Sequence, residues 1–444
     1  QDLARFLQAF FSGEIVENDT VRNRIFTEIH TPQRQRYPYY LGLAPDHYQG
    51  MMNYGHGGFW GTTMRYFPAL NATISICILE RDEKKQVRKV LDLFSGLLKQ
   101  HPPTRFERDA QLRTYLDELT DFSGTILVAQ NDAVLLERAY GLAHREHQVP
   151  NQPDTRYNIA SISKLITSIA TLQLHERGLL DVEKTVGTYL PDYPNERVRD
   201  SVTLAHLLTH QSGLPPFYRA DFLESDKRRY HKVEDFWDLF VFDSLRFSPG
   251  SQYEYAGGGF VVLGLIIEAV TGQEYYDYVE KAVFAKAGMT NALAVPIDSV
   301  IANRASGYTS EWGEKDYYTR NDLYLAKASP AGGHYASARD LFQLTKALHD
   351  GTLLQPATRE LLFTPRVRGY NTRLGYGIDV DLRHFEQIMG HSGGWYGVRA
   401  ELMDFQASGY TIIVLSNQDD DGKSGASKVI NDLRLLVTER FPQY

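Results

Sequence analysis

Cysteine is nearly absent: the only one among 444 residues is Cys77, so the chain cannot form an internal disulfide. A lone thiol in the apolar run TISICIL is typical of a buried structural residue, and neither a cysteine nucleophile nor a cysteine zinc site is expected. Long hydrophobic runs are also missing. The longest, FVVLGLIIEAV at residues 260–270, is about half of the ~20 residues that a membrane-spanning helix needs. The chain is predicted not to cross a bilayer.

An excess of positive charge is lacking as well. Acidic residues outnumber basic ones, 55 to 47, and the net charge is −8. Without a basic stripe, nucleic acid is not expected as a partner. No signal peptide precedes Gln1, so such a segment is expected to be absent or already removed. The hydrophobic content of 43% is ordinary for globular protein, and the length allows two or three domains.

The first hundred residues resemble a diverged copy of the last hundred. The segment DLARFLQAFFSG at residues 2–13 parallels DLFQLTKALHDG at 340–351, and GHGGFW at 55–60 parallels GHSGGW at 390–395. In both copies an apolar strand follows, ISICIL or TIIVLS, and then an amphipathic helix, VRKVLDLFSGLLKQ or ASKVINDLRLLVTER. Residues 1–98 are therefore predicted to be a partial repeat without a catalytic serine.

A Pro-Pro pair marks the end of this first copy. Pro102 and Pro103 interrupt the helical pattern, which predicts a linker over residues 99–106 and a catalytic domain over 107–444. The first copy lacks the two strands that its sister has at residues 123–140, so it should leave a sheet edge that needs a partner. We expect residues 1–98 to associate with a fragment of another chain or to form a cap or a homo-oligomer contact.

Strand and helix patterns predict the fold class. The segment FSGTILVAQNDAVLLERAYG indicates two strands joined by an Asn-Asp turn, and strand patterns return near the C-terminus. A mostly helical stretch, about residues 165–330, separates them. The prediction is an α/β (α+β) fold in which an antiparallel sheet is flanked by helices and carries an inserted all-helical subdomain.

Two serines compete as the nucleophile. Ser392 lies in GHSGG, which fits the G-x-S-x-G pattern of an α/β-hydrolase elbow. That elbow needs a histidine later in the chain and a helix directly after it. No histidine follows Ser392, and the next segment, VRAELMDF, has a strand pattern. Ser392 is therefore not expected to be the nucleophile.

Ser161 and Lys164 form an S-x-x-K pair at the start of a helix with apolar residues on several sides. Their spacing stacks the hydroxyl and the amine on one face, and the helix should be buried. A lysine in a water-poor site is pushed toward its neutral form and can take the serine proton. One such pair is expected by chance in a chain of this size, so the context decides.

That context resembles a known superfamily. Five segments follow Ser161 in this order: TLAHLLTHQSGLPPF, FSPGSQYEYAGGG, SPAGGHYASARDL, LGYGI and GHSGGW. Over about residues 105–440 this order resembles the serine β-lactamase and penicillin-binding-protein-like superfamily, in particular its class C-like branch with family VIII esterases, D-aminopeptidases and D,D-peptidases.

The resemblance implies roles for individual residues. Ser161 would be the nucleophile with Lys164 beside it, and Tyr255 would match the tyrosine of a Tyr-x-Asn motif, with Tyr253 as the alternative if the register slips. A cationic Lys164 would favour the Tyr255 phenolate, which then serves as the base. Gly257 stands where the motif has asparagine.

The third motif of the superfamily matches His391, Ser392 and Gly393. The resemblance implies that His391 orients the substrate and that the backbone N–H groups of Ser161 and Gly394 form an oxyanion hole.

Four aromatic residues are candidates for an acyl pocket. Phe217, Tyr218, Trp395 and Tyr396 could line it or could be ordinary packing.

The missing asparagine bears on the substrate. In the superfamily this side chain contacts the substrate's amide, so Gly257 weakens the β-lactamase interpretation and favours an esterase or a D-amino-acid peptidase or amidase. The alternatives are a β-lactamase, a transferase, or a penicillin-binding sensor without turnover. The expected partner is a small ester, amide or peptide, and the resemblance suggests a periplasmic or secreted location.

Neither a cofactor nor a metal is expected. The 14 histidines show no H-E-x-x-H spacing, and His144 and His147 lie in a loop-like stretch where solvated side chains are the simpler interpretation.

Overall fold

The computed structural model describes residues 44–48, 51–57, 62–67, 72–77, 105–296, 298–310, 319–321, 326–370, 372–382, 387–419 and 425–438. They belong to two compact units. One comprises the described residues up to Tyr115 together with those from Asp432 onward, and the other comprises the described residues between Leu116 and Asn431. The predicted domain bounds at 98 and 107 stay a prediction.

Four short strands form an antiparallel meander in the first unit, in the order in which they occur in the chain. They are β1 (Ala44–Tyr48), β2 (Met51–Gly57), β3 (Thr62–Phe67) and β4 (Ala72–Cys77). The predicted strand ISICIL thus coincides largely with β4. The predicted helix after it, the linker prolines and the side chain of Cys77 lie outside the described residues.

Helix α1 (Arg105–Asp117) is followed by the opening strands of the second unit. These are β5 (Gly124–Gln130), β6 (Ala133–Tyr140), β7 (Leu142–His144), β8 (Val149–Pro150) and β9 (Tyr157–Asn158). The predicted Asn-Asp turn joins β5 to β6. Asn131 takes a positive φ of 53° there, a conformation that asparagine tolerates better than most residues.

The middle of the chain is mainly helical, as predicted. Its α-helices are α2 (Ser163–Glu176), α3 (Val186–Tyr189), α4 (Glu196–Ser201), α5 (Leu204–Leu208), α6 (Ala220–Glu224), α7 (Gly258–Thr271), α8 (Tyr275–Val279) and α9 (Ala285–Ala287). The apolar run at residues 260–270 lies in α7. Among the residues that the structure describes, no helix is long and apolar enough to span a membrane.

The last third returns to strands. It contains β10 (Tyr308–Thr309), β11 (Thr319–Arg320), β12 (Tyr335–Ala336), α10 (Ala338–His349), α11 (Pro356–Phe363), β13 (Val367–Arg368), β14 (Arg373–Leu374), β15 (Asp379–Asp381), β16 (Ile388–Trp395), β17 (Val398–Phe405), β18 (Tyr410–Ser416) and α12 (Gly425–Thr438). The predicted strands VRAELMDF and TIIVLS and the closing helix are all present.

An eight-stranded antiparallel sheet joins the two ends of the second unit. Its order is β13-β14-β15-β16-β17-β18-β5-β6. The last of the described strands, β18, pairs with the first strand of the unit, β5, from Tyr410↔Gln130 to Ser416↔Gly124. The helical segment is inserted between β9 and β12, so the predicted fold class is confirmed.

Helix α2 is buried on all sides, as its apolar pattern predicts. From Ser163 to Leu174 every residue is buried, and α2 packs against α7. Burial on every side places α2 in the core of the unit. It therefore provides a rigid base for the residues at its N-terminus.

Candidate active site

Ser161 lies on a short 3₁₀ turn, Ala160–Ile162, between strand β9 and helix α2. Ala160, directly before it, has a φ of 43°, which for a residue with a Cβ costs about 1–2 kcal/mol. Two hydrogen bonds hold this conformation: the Ala160 N–H donates to Asn158 Oδ1 at 2.8 Å, and the Gly333 N–H donates to the Ala160 carbonyl at 3.2 Å. The strained turn fixes the position of the hydroxyl.

Lys164 lies one turn further on, with its amine directed at Ser161. Its Nζ donates to Ser161 Oγ at 3.1 Å and makes a second, shorter hydrogen bond to the Ala331 carbonyl. The side chain is fully buried, and no carboxylate of the described residues forms an ion pair with it. Burial lowers the pKa of Lys164 to about 7. A large fraction of this amine is therefore neutral at physiological pH.

The ring of Tyr255 also lies close to this amine, with its centroid 4.8 Å from Lys164 Nζ. Burial raises the pKa of Tyr255 above its usual 10, and the interaction with the Ser161 side chain only partly lowers it. The expected phenolate is thus not favoured, because the lysine beside the phenol loses its charge more readily than the phenol ionises. Tyr255 and not Tyr253 faces Ser161, since the Tyr253 ring packs against the exposed Tyr370 at 5.2 Å.

The ring of His210 packs against the ring of Tyr255. The two rings are 4.3 Å apart with an interplanar angle of 31°. His210 Nδ1 lies 3.2 Å from both the N–H and the carbonyl oxygen of Ala256, so the Ala256 backbone holds the ring in place. Burial, together with the nearby charge of Lys164, lowers the pKa of His210 well below its usual value. His210 therefore stays neutral and packs like an aromatic residue.

Strand β16 approaches the nucleophile most closely at Gly393. A Cβ at this position would lie 2.5 Å from the Ile159 carbonyl oxygen and 3.2 Å from the Ser161 nitrogen. Only glycine fits there. The close approach brings the backbone of Gly393 and Gly394 beside the Ser161 N–H, which is the arrangement that an oxyanion hole requires.

His391 and Ser392 lie on opposite faces of β16, because side chains alternate along a strand. His391 shares its face with Gly393. It is buried, and its Nδ1 donates to the Ser392 carbonyl at 2.5 Å. Burial lowers the pKa of His391, the carboxylate of Asp379 raises it, and the charge of Lys164 lowers it further. Ser392 faces away from Ser161 and is followed by the strand β17 and not by a helix.

A cavity of about 180 Å³ opens beside Ser161. Its lining residues are Asn158, Ala160, Ser161, Tyr218, Phe222, Phe236, Tyr255, Ala326, Lys327, Ser329, Gly332, Gly333, Gly394 and Trp395. Among the predicted substrate-binding residues, Gly394, Trp395 and Tyr218 line this cavity. Phe217 lies behind Tyr218 in the core, and Tyr396 lies in the turn after β16, where its carbonyl accepts from Asn321 Nδ2 at 2.8 Å.

Sequence reasoning missed three contributors: Asn158, His210 and Ala331. His210 and Ala331 lie in the segments THQSG and SPAGG, which in the sequence indicate only the superfamily. A metal site is not formed by the described residues, in which no three His, Cys, Asp or Glu side chains converge. The His144 ring is engaged by the Arg304 carbonyl at 2.9 Å and by the Ser306 hydroxyl at 3.2 Å.

The fold is that of the β-lactamase-like serine hydrolase superfamily, and comparison with known proteins agrees. The chain belongs to the beta-lactamase family, whose family model matches residues 112–436. The superfamily includes penicillin-binding proteins and D-amino acid amidases.

Individual relatives cover most of the chain. PbpX of Bacillus subtilis (strain 168), provisionally named a penicillin-binding protein, is 30% identical over 81% of this chain and 85% of its own length. The crystal structure of a penicillin-binding protein from Bacillus halodurans has 31% identity and a TM-score of 0.65, covering 71% of this chain and 96% of that one. D-amino acid amidase from Ochrobactrum anthropi SV3, at 21% identity and a TM-score of 0.63 over 75% of this chain and 98% of its own, shares the fold.

Proposed function

We propose that the protein hydrolyses carboxylic esters through an acyl-enzyme on Ser161, with D-amino-acid amides or peptides as the second substrate class. One observation carries this proposal: the buried Lys164 amine, which has no counter-ion among the residues that the structure describes, donates to Ser161 Oγ at 3.1 Å. A neutral amine in this position can accept the hydroxyl proton and so turn a weak nucleophile into an effective one.

The arrangement supports a sequence of proton transfers. Lys164 accepts the Ser161 proton as Oγ attacks the carbonyl carbon, and the N–H groups of Ser161 and Gly394 stabilise the oxyanion. Tyr255, protonated because of its raised pKa, donates its proton to the leaving group and regains one from the Lys164 ammonium. Water then attacks the acyl-enzyme, and the same groups act in reverse order.

Esters are the first proposed substrate class because Gly257 offers no side chain to the amide of a peptide or β-lactam substrate. An ester also has a better leaving group than an amide. The names of the relatives favour penicillin binding as a further candidate, in which Ser161 would be acylated with slow or no release. A transferase, in which an alcohol or amine replaces water, would use the same residues.

The decisive experiment compares initial rates on p-nitrophenyl butyrate and D-alanine p-nitroanilide for the wild type, Ser161→Ala and Ser392→Ala. Ser161→Ala should lower the rate by at least about 10³-fold. Ser392→Ala should keep most of it. Activity that survives Ser161→Ala would refute the proposal, and a dominant anilide rate would move the protein to the amidases.

Mass spectrometry after incubation with benzylpenicillin separates an enzyme from a sensor. A hydrolase should return to its free mass within minutes, whereas a sensor would keep a stable adduct on Ser161.

We also propose that residues 1–98 mediate association with another chain. The prediction of a partial repeat supports this, since a half-sheet needs a partner at its edge. A solution mass equal to that of one chain, with no bound fragment, would contradict it.

A further inference from the structure

The position where the superfamily has asparagine is filled by aromatic rings. A Cβ on Gly257 would lie 2.9 Å from Phe217 Cε1, 3.3 Å from Tyr218 Cε2 and 3.4 Å from Ala331 Cβ. The backbone of Gly257 is unstrained, with φ −70° and ψ −28°, which any residue adopts. Space alone, and not conformation, therefore requires glycine at this point.

The two rings are held firmly in place. Phe217 is fully buried, and its ring contacts Phe222, Phe236 and Phe240 at centroid distances of 6.0, 6.1 and 5.9 Å. The Tyr218 ring lies 4.1 Å from that of Phe217, at an interplanar angle of 33°. A ring fixed by so many neighbours cannot move aside to admit a larger residue at 257 without a loss of packing.

Tyr218 also forms part of the wall beside the nucleophile. It lines the cavity that contains Ser161, and its ring lies 5.1 Å from that of Trp395. Its hydroxyl reaches the turn over Ser329–Gly332: a Cβ on Gly332 would be 3.3 Å from it. This turn carries the Ala331 carbonyl that binds Lys164. The wall thus offers ring surface in place of a side-chain amide.

We infer that Tyr218, backed by Phe217, forms an aromatic wall, which makes this site selective for acyl groups without an amide next to the scissile carbonyl. The inference rests on the proposed acyl transfer to Ser161. An amide that enters the site would lose water and find no side-chain amide at 257. Leaving a buried polar group unpaired should cost about tenfold or more in kcat/KM.

Two esters with one leaving group test this selectivity: p-nitrophenyl pentanoate and the p-nitrophenyl ester of N-acetylglycine. Their acyl chains have equal length, and only the second carries an amide. Each kcat/KM is divided by the rate of hydroxide hydrolysis, which removes the difference in intrinsic reactivity. The wild type should favour the pentanoate by about tenfold or more. A ratio of one or less would overturn the inference.

Variants then test the aromatic wall directly. Gly257→Asn should lower the unfolding temperature and the activity on both esters, because Phe217 occupies the space. The double variant Phe217→Leu/Gly257→Asn should shift the ratio toward the N-acetylglycine ester by about tenfold, whereas Phe217→Leu alone, which adds no amide at 257, should shift it by clearly less. A folded double variant with an unchanged ratio, or a Gly257→Asn protein as stable and active as the wild type, would overturn the inference.

Failure of this inference and failure of the proposed function can be distinguished. If Ser161→Ala retains turnover of the pentanoate, the nucleophile is wrong whatever the ratio. If Ser161→Ala is inactive and the wild-type ratio is one or less, the nucleophile stands and only the aromatic wall is refuted. The wild-type ratio decides this even if the double variant does not fold.

Discussion

The two copies of the predicted repeat share a short motif: GHGG, of which Gly55–Gly57 lie in β2, and GHSGG, which lies in β16. In both, the glycine that opens the word pairs with the residue eleven positions earlier: Gly55 with Ala44 and Gly390 with Asp379. A Cβ on either glycine would collide with a carbonyl of the next strand, that of Met64 or Leu402. This glycine therefore serves strand pairing in both sheets.

The difference lies in what faces the strand. Beside β16 the turn with Ser161 approaches to within contact of Gly393, and Lys164 lies directly behind it. The described residues of the first sheet contain no S-x-x-K. A strand motif alone therefore does not make a site; the helix packed against it does. The repeat itself stays a prediction.

Lys164→Met should give the largest effect, because it removes the amine that distinguishes the site beside β16 from the first sheet. Removal of the base should lower kcat/KM by about 10²–10⁴-fold. Stability should rise at the same time. The shift of the lysine pKa from 10.5 to about 7 costs the fold up to about 5 kcal/mol below pH 7. Loss of the hydrogen bond to Ala331 offsets about 1–2 kcal/mol of this gain.

The sign of this effect can be checked against pH by urea unfolding. The folded-state pKa is depressed, so between pH 7 and 10.5 the unfolded chain binds more protons and wild-type stability rises with pH. The advantage of Lys164→Met should then shrink by about 1.4 kcal/mol per pH unit above 7. An advantage that is equal at pH 6 and pH 9 would contradict a buried, largely neutral lysine.

Gly393→Ala tests whether the close approach of β16 positions Ser161, and Gly394→Ala is the matched control. At 393 a methyl group would lie 2.5 Å from the Ile159 carbonyl and displace Ser161, whereas at 394 the nearest atom is 3.7 Å away. We expect about a 100-fold loss of kcat/KM for the first and a loss of a few-fold at most for the second. Circular dichroism should show both proteins folded. Equal losses would mean that the approach of β16 does not position the nucleophile.

The pH dependence of kcat/KM is the third test. Because the Lys164 amine must be neutral to accept a proton, the rate should fall tenfold per pH unit below about 7 and level off above it. The profile is to be measured on p-nitrophenyl butyrate from pH 5 to 9, with the hydroxide rate subtracted. A rate that is flat down to pH 5 would exclude Lys164 as the base.

The smallest effects on kcat/KM should come from substitution of the two histidines in the motifs GHGG and GHSGG. His391→Ala removes a buried ring that shares its strand face with Gly393, and kcat/KM should fall about tenfold. His56→Ala, in the sheet whose described residues contain no S-x-x-K pair, should stay within about twofold of the wild type, since most surface or remote substitutions do little. A comparable loss in His56→Ala would assign the first unit a part in turnover.

The sequence predicted the parts of this site that are local. Ser161 and Lys164 are three residues apart on one buried helix, and the strands at both ends of the domain follow from alternation and turn residues. Contacts between distant segments were not predictable. Lys164 meets Ala331 across 167 positions, and nothing in the pattern around Gly257 showed that the rings of Phe217 and Tyr218 would fill the space.

Ala160 has a consequence for anyone who engineers this protein. Its φ of 43° would suit glycine, and a stability-guided redesign would choose Ala160→Gly for that reason. The gain would come with a looser hinge beside Ser161, because glycine adopts many other conformations. The best thermostable variants should therefore keep the alanine and seek their gains elsewhere.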